Sequence, residues 1–215
     1  MNINRVVKLI DVFYSLASEK LPPDSSNLKT ILKNIENLET YQARIKYAED
    51  NLDHLSSGSS RIVYQAPDKT IIKLAKNDKG IAQNKAEANP KMKSDFLNEI
   101  ISKDQKGYWI QTYFLDKINE KEFENLTKIS FEDFSEALSF GTDKSSSKQP
   151  KNFDKVSKTP VYKEMKRLCE DFDLVSGDVT RISSWGTKGN KPILIDAGLT
   201  GKIFEEFYED EDSSS

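Results

Sequence analysis

The hydrophobic period of the chain changes near residue 56, and that change restricts the fold more than any other feature. Before it, apolar residues recur at three- and four-residue steps, the spacing of one helix face. After it come two β-branched runs, Arg61-Ile62-Val63-Tyr64-Gln65 and Thr70-Ile71-Ile72-Lys73-Leu74, joined by Ala66-Pro67-Asp68-Lys69 with its turn-forming Pro and Asp. The pattern predicts an antiparallel hairpin. A helix over Lys79 to Ala88, stopped by Pro90, follows it. Ile100-Ile101 and Tyr108 to Leu115 then flank Asp104-Gln105-Lys106-Gly107 as a second hairpin. Strand, strand, helix, strand, strand is the order of an α+β domain.

The helical opening has two stripes. Ile3, Val6, Val7, Ile10, Phe13 and Ala17 form one, ending at Pro22-Pro23. Asp24-Ser25-Ser26 then offer capping oxygens, and Leu28, Ile31, Leu32, Ile35, Leu38, Ile45, Ala48 and Leu52 predict a longer helix with a break near Thr40. Both stripes either pack on the main domain or present a face to a protein partner. Beyond the hairpins, Phe131 to Phe140 reads as helix, and Gly141 to Lys158, rich in Ser, Lys and Asp, as a mobile surface loop. Thr159 caps and Pro160 opens a further helix with Val161, Met165, Leu168, Cys169 and Phe172 on one face. An irregular acidic stretch, the strand Pro192-Ile193-Leu194-Ile195-Asp196 and a disordered acidic tail, Glu205 to Ser215, complete the expectation.

Composition narrows the chemistry. The 215 residues carry 32 Lys+Arg against 35 Asp+Glu, a net charge of -3, which gives no global reason to bind nucleic acid or anionic lipid. One cysteine, Cys169, forms no internal disulfide, and with the single histidine, His54, it is too little for a zinc site of such ligands. Any catalysis is therefore expected to rest on carboxylates and lysine. Lys8 and Asp11 interrupt the apolar N-terminus, unlike a secretory signal or a membrane span, so a reducing cytoplasm is the expected setting.

Three segments carry candidate chemistry. Ser56-Ser57-Gly58-Ser59-Ser60 precedes the first β-branched run; small residues there either let backbone N–H groups approach an anion or simply make a turn. Lys73 alternates with Ile72 and Leu74, so its ammonium lies on the opposite sheet face, where it either meets an anion or reaches solvent. A carboxylate from the next helix, Glu87, would hold it in place. The third segment runs from Asp173-Leu174-Val175-Ser176-Gly177-Asp178 to Ile195-Asp196-Ala197-Gly198. An acid at a strand end before two small residues projects into a cleft, and a second acid can share a hard divalent cation with it; the same acids also suit ordinary loops.

In this order, the residues resemble the protein-kinase-like superfamily, which includes protein kinases, aminoglycoside phosphotransferases and small atypical kinase-like proteins of bacteria and phages. The resemblance covers roughly residues 55 to 200. It implies a two-lobe fold: a helical extension over 1–54, an antiparallel-sheet lobe over 55–116, a reduced helical lobe over 117–204, and the tail 205–215. Gly58, Ser59 and Ser60 match the loop that covers phosphates, Lys73 the third-strand lysine and Glu87 its helix partner. Asp173 matches the catalytic-loop base. Asp178 stands where an asparagine belongs, and Asp196 heads an altered D-F-G, so this pair would hold magnesium. Tyr113 to Asp116 matches the hinge that receives adenine. The implied function is an ATP- and magnesium-dependent phosphotransferase acting on a hydroxyl, or a pseudokinase that binds without transfer. Departures accompany the matches: Ile71 replaces a small residue, the catalytic-loop histidine and arginine are absent, and Ala197 replaces phenylalanine. The few residues after Asp196 imply little room for an activation segment.

Overall fold

The structure is a computed structural model and describes residues 25–143 and 148–208. The expected helix over Ile3 to Ala17 therefore lies outside the described residues, as does the tail from residue 209.

Two helices open the described chain, α1 (Ser25–Asn37) and α2 (Tyr41–Asn51). They break where the sequence predicted, because Thr40 leaves helical geometry and its hydroxyl accepts from Ala43 N at 3.1 Å, capping α2. Leu28, Ile31, Leu32 and Ile35 of α1 and Ala48 of α2 are buried against Ile62, Tyr64, Ile72, Leu74 and Trp109. The apolar stripe is thus used within the fold to cover one face of a sheet.

That sheet contains β1 (Asp53–Ser57), β2 (Arg61–Gln65), β3 (Thr70–Ala75), β4 (Ile100–Lys103) and β5 (Trp109–Tyr113), in the order β1-β2-β3-β5-β4, with every neighbour antiparallel. In the register, Val63 and Ile110 stand opposite Lys73 on either side. Period-two alternation sends Ile72 and Leu74 toward α1 and α2, and Ile71 and Lys73 to the other face. Helix α3 (Asp78–Glu87) lies on that second face. Asn77 caps it, accepting from Gly80 N at 3.0 Å, and Asn84 Nδ2 donates to Lys73 O and Gly107 O at 3.2 and 3.0 Å. Gly80 is required by this approach, since a Cβ there would stand 2.1 Å from Ser60 O.

A second core follows. Short β6 (Asp116–Lys117) leads to α4 (Glu120–Thr127), α5 (Phe131–Thr142), α6 (Phe153–Val156), α7 (Pro160–Phe172) and α8 (Ser176–Val179). A 3₁₀ turn, Ile182–Ser184, precedes β7 (Trp185–Lys188) and β8 (Lys191–Leu194), which form a three-stranded sheet with β6, and α9 (Gly201–Phe207) closes the described chain. Trp185 is central: its ring meets Phe123 and Phe134 edge-on at 5.3 and 5.7 Å, and its indole N–H donates to Val179 O at 2.8 Å. The architecture is mixed α+β, with a five-stranded antiparallel sheet.

Two expectations are corrected. Within the segment read as a mobile loop, Phe153–Val156 is helical; Val156 is fully buried and the Phe153 ring packs between Phe140 and Tyr162. The residues read as the start of a disordered tail, Glu205 to Phe207, belong to α9, capped by Thr200. Among the described residues, no helix is long and apolar enough to cross a membrane.

Candidate functional site

The face of the sheet opposite α1 and α2 carries a buried charge cluster. Lys73, 6% exposed, donates from Nζ to Glu87 Oε1 at 2.6 Å and to Ile195 O at 2.6 Å. Strand alternation places the lysine, and the last turn of α3 places the glutamate, so the two expected partners meet. Glu87 Oε2 accepts from Arg61 Nη1 at 2.6 Å. The other end of that guanidinium, Nη2, binds Asp196 Oδ1. Lys73 Nζ stands 3.8 Å from the same oxygen. Two cations therefore interlock with two carboxylates, an arrangement in which each charge depends on the others for the solvation it has lost.

Arg61 had no role in the sequence reading beyond opening a hairpin. The signal was available in the register: Arg61 opposes Ala75 and shares a face with Val63 and Lys73. Burial opposes its charge, but Asp196 and then Glu87 outweigh that effect and hold the guanidinium more firmly protonated than usual. A Cβ at Gly198 would stand 3.1 Å from both terminal nitrogens of Arg61, so the glycine after Ala197 lets backbone and guanidinium lie together.

Asp196 follows β8 and keeps 53% of its side chain open to solvent. Burial of its inner side raises the carboxyl pKa, but Arg61, Lys73 and the Gly198 N–H overcome this and bring it down to about 2. Asp178, on α8, behaves oppositely. Burial pushes its carboxyl up, the exposed Arg181 at 3.1 Å draws it partly back, and the charge of Asp196 adds to the rise. Asp178 and Asp196 sense each other's charge, Arg61 binds one Asp196 oxygen and Arg181 pairs with Asp178; among the described residues no group of three or more His, Cys, Asp or Glu side chains could hold a metal ion.

The remaining expected residues are placed differently. In the Gly58–Ser60 turn, Gly58 and Ser59 are exposed and Ser60 is buried, its hydroxyl donating to Gln83 Oε1 at 2.6 Å. Lys76 Nζ and Asn77 Nδ2 donate to Gly58 O and Ser59 O at 2.9 and 3.1 Å, tying the turn to the start of α3. A Cβ at Gly58 would make only an ordinary 3.7 Å contact, so the turn itself does not require glycine. Asp173 ends α7 in left-handed geometry, φ 58°, and its Oδ2 accepts from Lys202 N at 2.9 Å in the first turn of α9. Among the described residues, none of its hydrogen bonds or ion pairs reaches Lys73 or Asp196. In the expected hinge, Tyr113 and Phe114 are exposed, and Tyr113 O accepts from Asn98 Nδ2 at 2.8 Å. The buried Thr112 Oγ1, opposite Ile71 and on the Lys73 face, has no partner among the described residues.

Comparison with models of known protein families finds no match, and no curated protein matches the chain.

Proposed function

We propose that the cluster is the phosphate-binding end of a nucleotide site in an atypical kinase-like protein of two lobes, one that transfers phosphate from ATP to a hydroxyl acceptor. The observation that carries this reading is the Lys73–Glu87 pair, 2.6 Å long and buried, with Asp196 3.8 Å from the lysine. A buried lysine fixed by one carboxylate and poised beside another is positioned to hold an anion and does not swing with solvent. The five-stranded sheet that supplies Lys73, the helix that supplies Glu87 and the end of β8 that supplies Asp196 support the same reading.

In this mechanism Lys73 binds nucleotide phosphates while Glu87 fixes its ammonium. Asp178 and Asp196 would hold magnesium, which supplies charge neutralisation of the phosphates when bound. Asp173, whose Oδ2 accepts from Lys202 N, would take the proton of the acceptor hydroxyl. Positioning and charge account for the rate, since phosphoryl transfer needs little covalent help from the protein. Transfer of radiolabelled phosphate by wild type, Lys73→Ala and Asp196→Ala tests the reading: activity lost in both variants supports it, and equal activity in all three contradicts it.

A second reading, a pseudokinase that binds nucleotide for regulation without transfer, is favoured by two contacts. Arg61 neutralises Asp196, and Lys202 N occupies one oxygen of Asp173. Saturable nucleotide binding with no phosphate transfer to any offered acceptor distinguishes it.

A further inference from the structure

Arg61 is an unusual residue to find against Asp196. Its guanidinium is buried, 7% exposed, and held at one end by Glu87 Oε2 at 2.6 Å and Asn84 Oδ1 at 3.3 Å. Asn84 is itself fixed by its bonds to Lys73 O and Gly107 O. The other end of the fork binds Asp196 Oδ1, with the backbone of Gly198 packed against it. This is a resident cation on rigid elements, permanently charged because a guanidinium does not lose its proton in proteins.

The charge balance follows from these contacts. With Arg61 present, two cations face Glu87 and Asp196. Without it, Lys73 alone would face those two carboxylates, with the Arg181-paired Asp178 adding its charge to Asp196, a negative cluster that repels polyphosphate until a divalent cation enters. We propose that Arg61 makes nucleotide binding at this site independent of a divalent cation, by supplying at Asp196 the positive charge that a metal would otherwise bring. The inference rests on the nucleotide-site reading above and adds to it a metal-free binding mode. Arg61 acts here as a positioning residue, through Asp196 and Glu87, and the chemical class of ligand is a nucleoside triphosphate with or without its metal.

The test is calorimetric titration of the intact protein with ATP in two buffers, one with excess magnesium and one with excess EDTA. The result expected is binding in both, with dissociation constants within about threefold of each other, well under the tenfold that corresponds to about 1.4 kcal/mol. Binding in magnesium that disappears in EDTA overturns the proposal while leaving the nucleotide-site reading intact. Absence of binding in both overturns the two together. Arg61→Met is expected to weaken binding in EDTA at least about tenfold more than binding in magnesium, and Arg61→Lys to restore part of the difference. A purely structural Arg61 would lower both affinities equally, which also overturns the proposal. Should Arg61→Met fail to fold, the wild-type comparison still decides.

Discussion

Glu87 accepts from Lys73 Nζ at 2.6 Å through one carboxylate oxygen and from Arg61 at 2.6 Å through the other. A single buried acid at the end of α3 thereby fixes two cations from two adjacent strands. Its removal takes a buried carboxylate from each of them and leaves Asp196 as their one shared acidic partner. Breaking a buried pair by deleting one partner typically costs about 3–5 kcal/mol. Glu87→Ala is therefore expected to lower the unfolding free energy measured by urea denaturation by an amount in that range, with Glu87→Gln intermediate. A loss below about 1 kcal/mol, the scale of an exposed ion pair, would show that the charges are solvated.

Gly80 and Gly58 make opposite predictions although both lie near the same turn. A Cβ at Gly80 would stand 2.1 Å from Ser60 O, so α3 has to lift away from the strand. In an open helix Gly→Ala stabilises by about 1 kcal/mol; here overpacking should reverse the sign and cost about 1–3 kcal/mol. A Cβ at Gly58 makes only a 3.7 Å contact, and Gly58→Ala should change stability by no more than about 0.5 kcal/mol. Thermal melts of the two variants check the contrast, and a stabilised Gly80→Ala would contradict it.

How much of this was legible beforehand depends on the range of the contact. Lys73 was placed correctly because alternation with Ile72 and Leu74 is a local property of one strand, and Thr159-Pro160 marked the start of α7 for the same reason. Strand β1 was hidden, since Asp53–Ser57 is exposed along its whole length and is recruited by backbone pairing to β2, not by an apolar pattern. The turn around Phe153 was hidden too: its polar neighbours masked two residues that fill a gap beside Phe140 and Tyr162. Arg61 and Asp196 are 135 residues apart, so their contact required knowing how the strand register and β8 converge. Asp173 matches a catalytic-loop base by resemblance, and its contact with Lys202 N was hidden because α9 has no strong apolar pattern and its end reads as an acidic tail.

That partner makes Asp173 a structural test as well as a catalytic one. Its carboxylate serves the N-terminus of α9 as a cap would, and its backbone sits at φ 58°. Losing a cap costs about 0.5–2 kcal/mol, and alanine tolerates left-handed geometry less well than aspartate. Asp173→Ala is expected to destabilise by an amount in that range, and Asp173→Asn by less. Equal stability of all three proteins, by urea denaturation, would show that α9 does not depend on this contact.

Two acids near Arg61 contribute to the pH dependence of stability with opposite signs. The Asp196 carboxyl, held at about 2 by Arg61 and Lys73 against burial, has a native pKa below its ordinary value of 3.8. Its stabilising contribution is present above about pH 4 and is lost as the pH falls toward 2. Asp178, raised by burial and by Asp196, has the reverse sign: native protein binds this proton more tightly, so its ionisation weakens the fold as pH rises through the native pKa. Asp196→Asn should flatten the acid limb of a urea-midpoint profile between about pH 4 and 2, whereas Asp178→Asn should raise the midpoint at neutral pH. An unaltered acid limb in Asp196→Asn would contradict the Arg61–Asp196 pairing.

The most direct measurement is equilibrium binding of ATP to the intact protein and to Lys73→Met, with circular dichroism confirming that both are folded. Lys73 reaches no nucleotide unless the cluster is a phosphate site, so the result expected is saturable binding to wild type that weakens at least about tenfold in Lys73→Met. Equal affinity of the two folded proteins, or no binding by wild type in magnesium or EDTA, would contradict the assignment of this cluster to nucleotide phosphate.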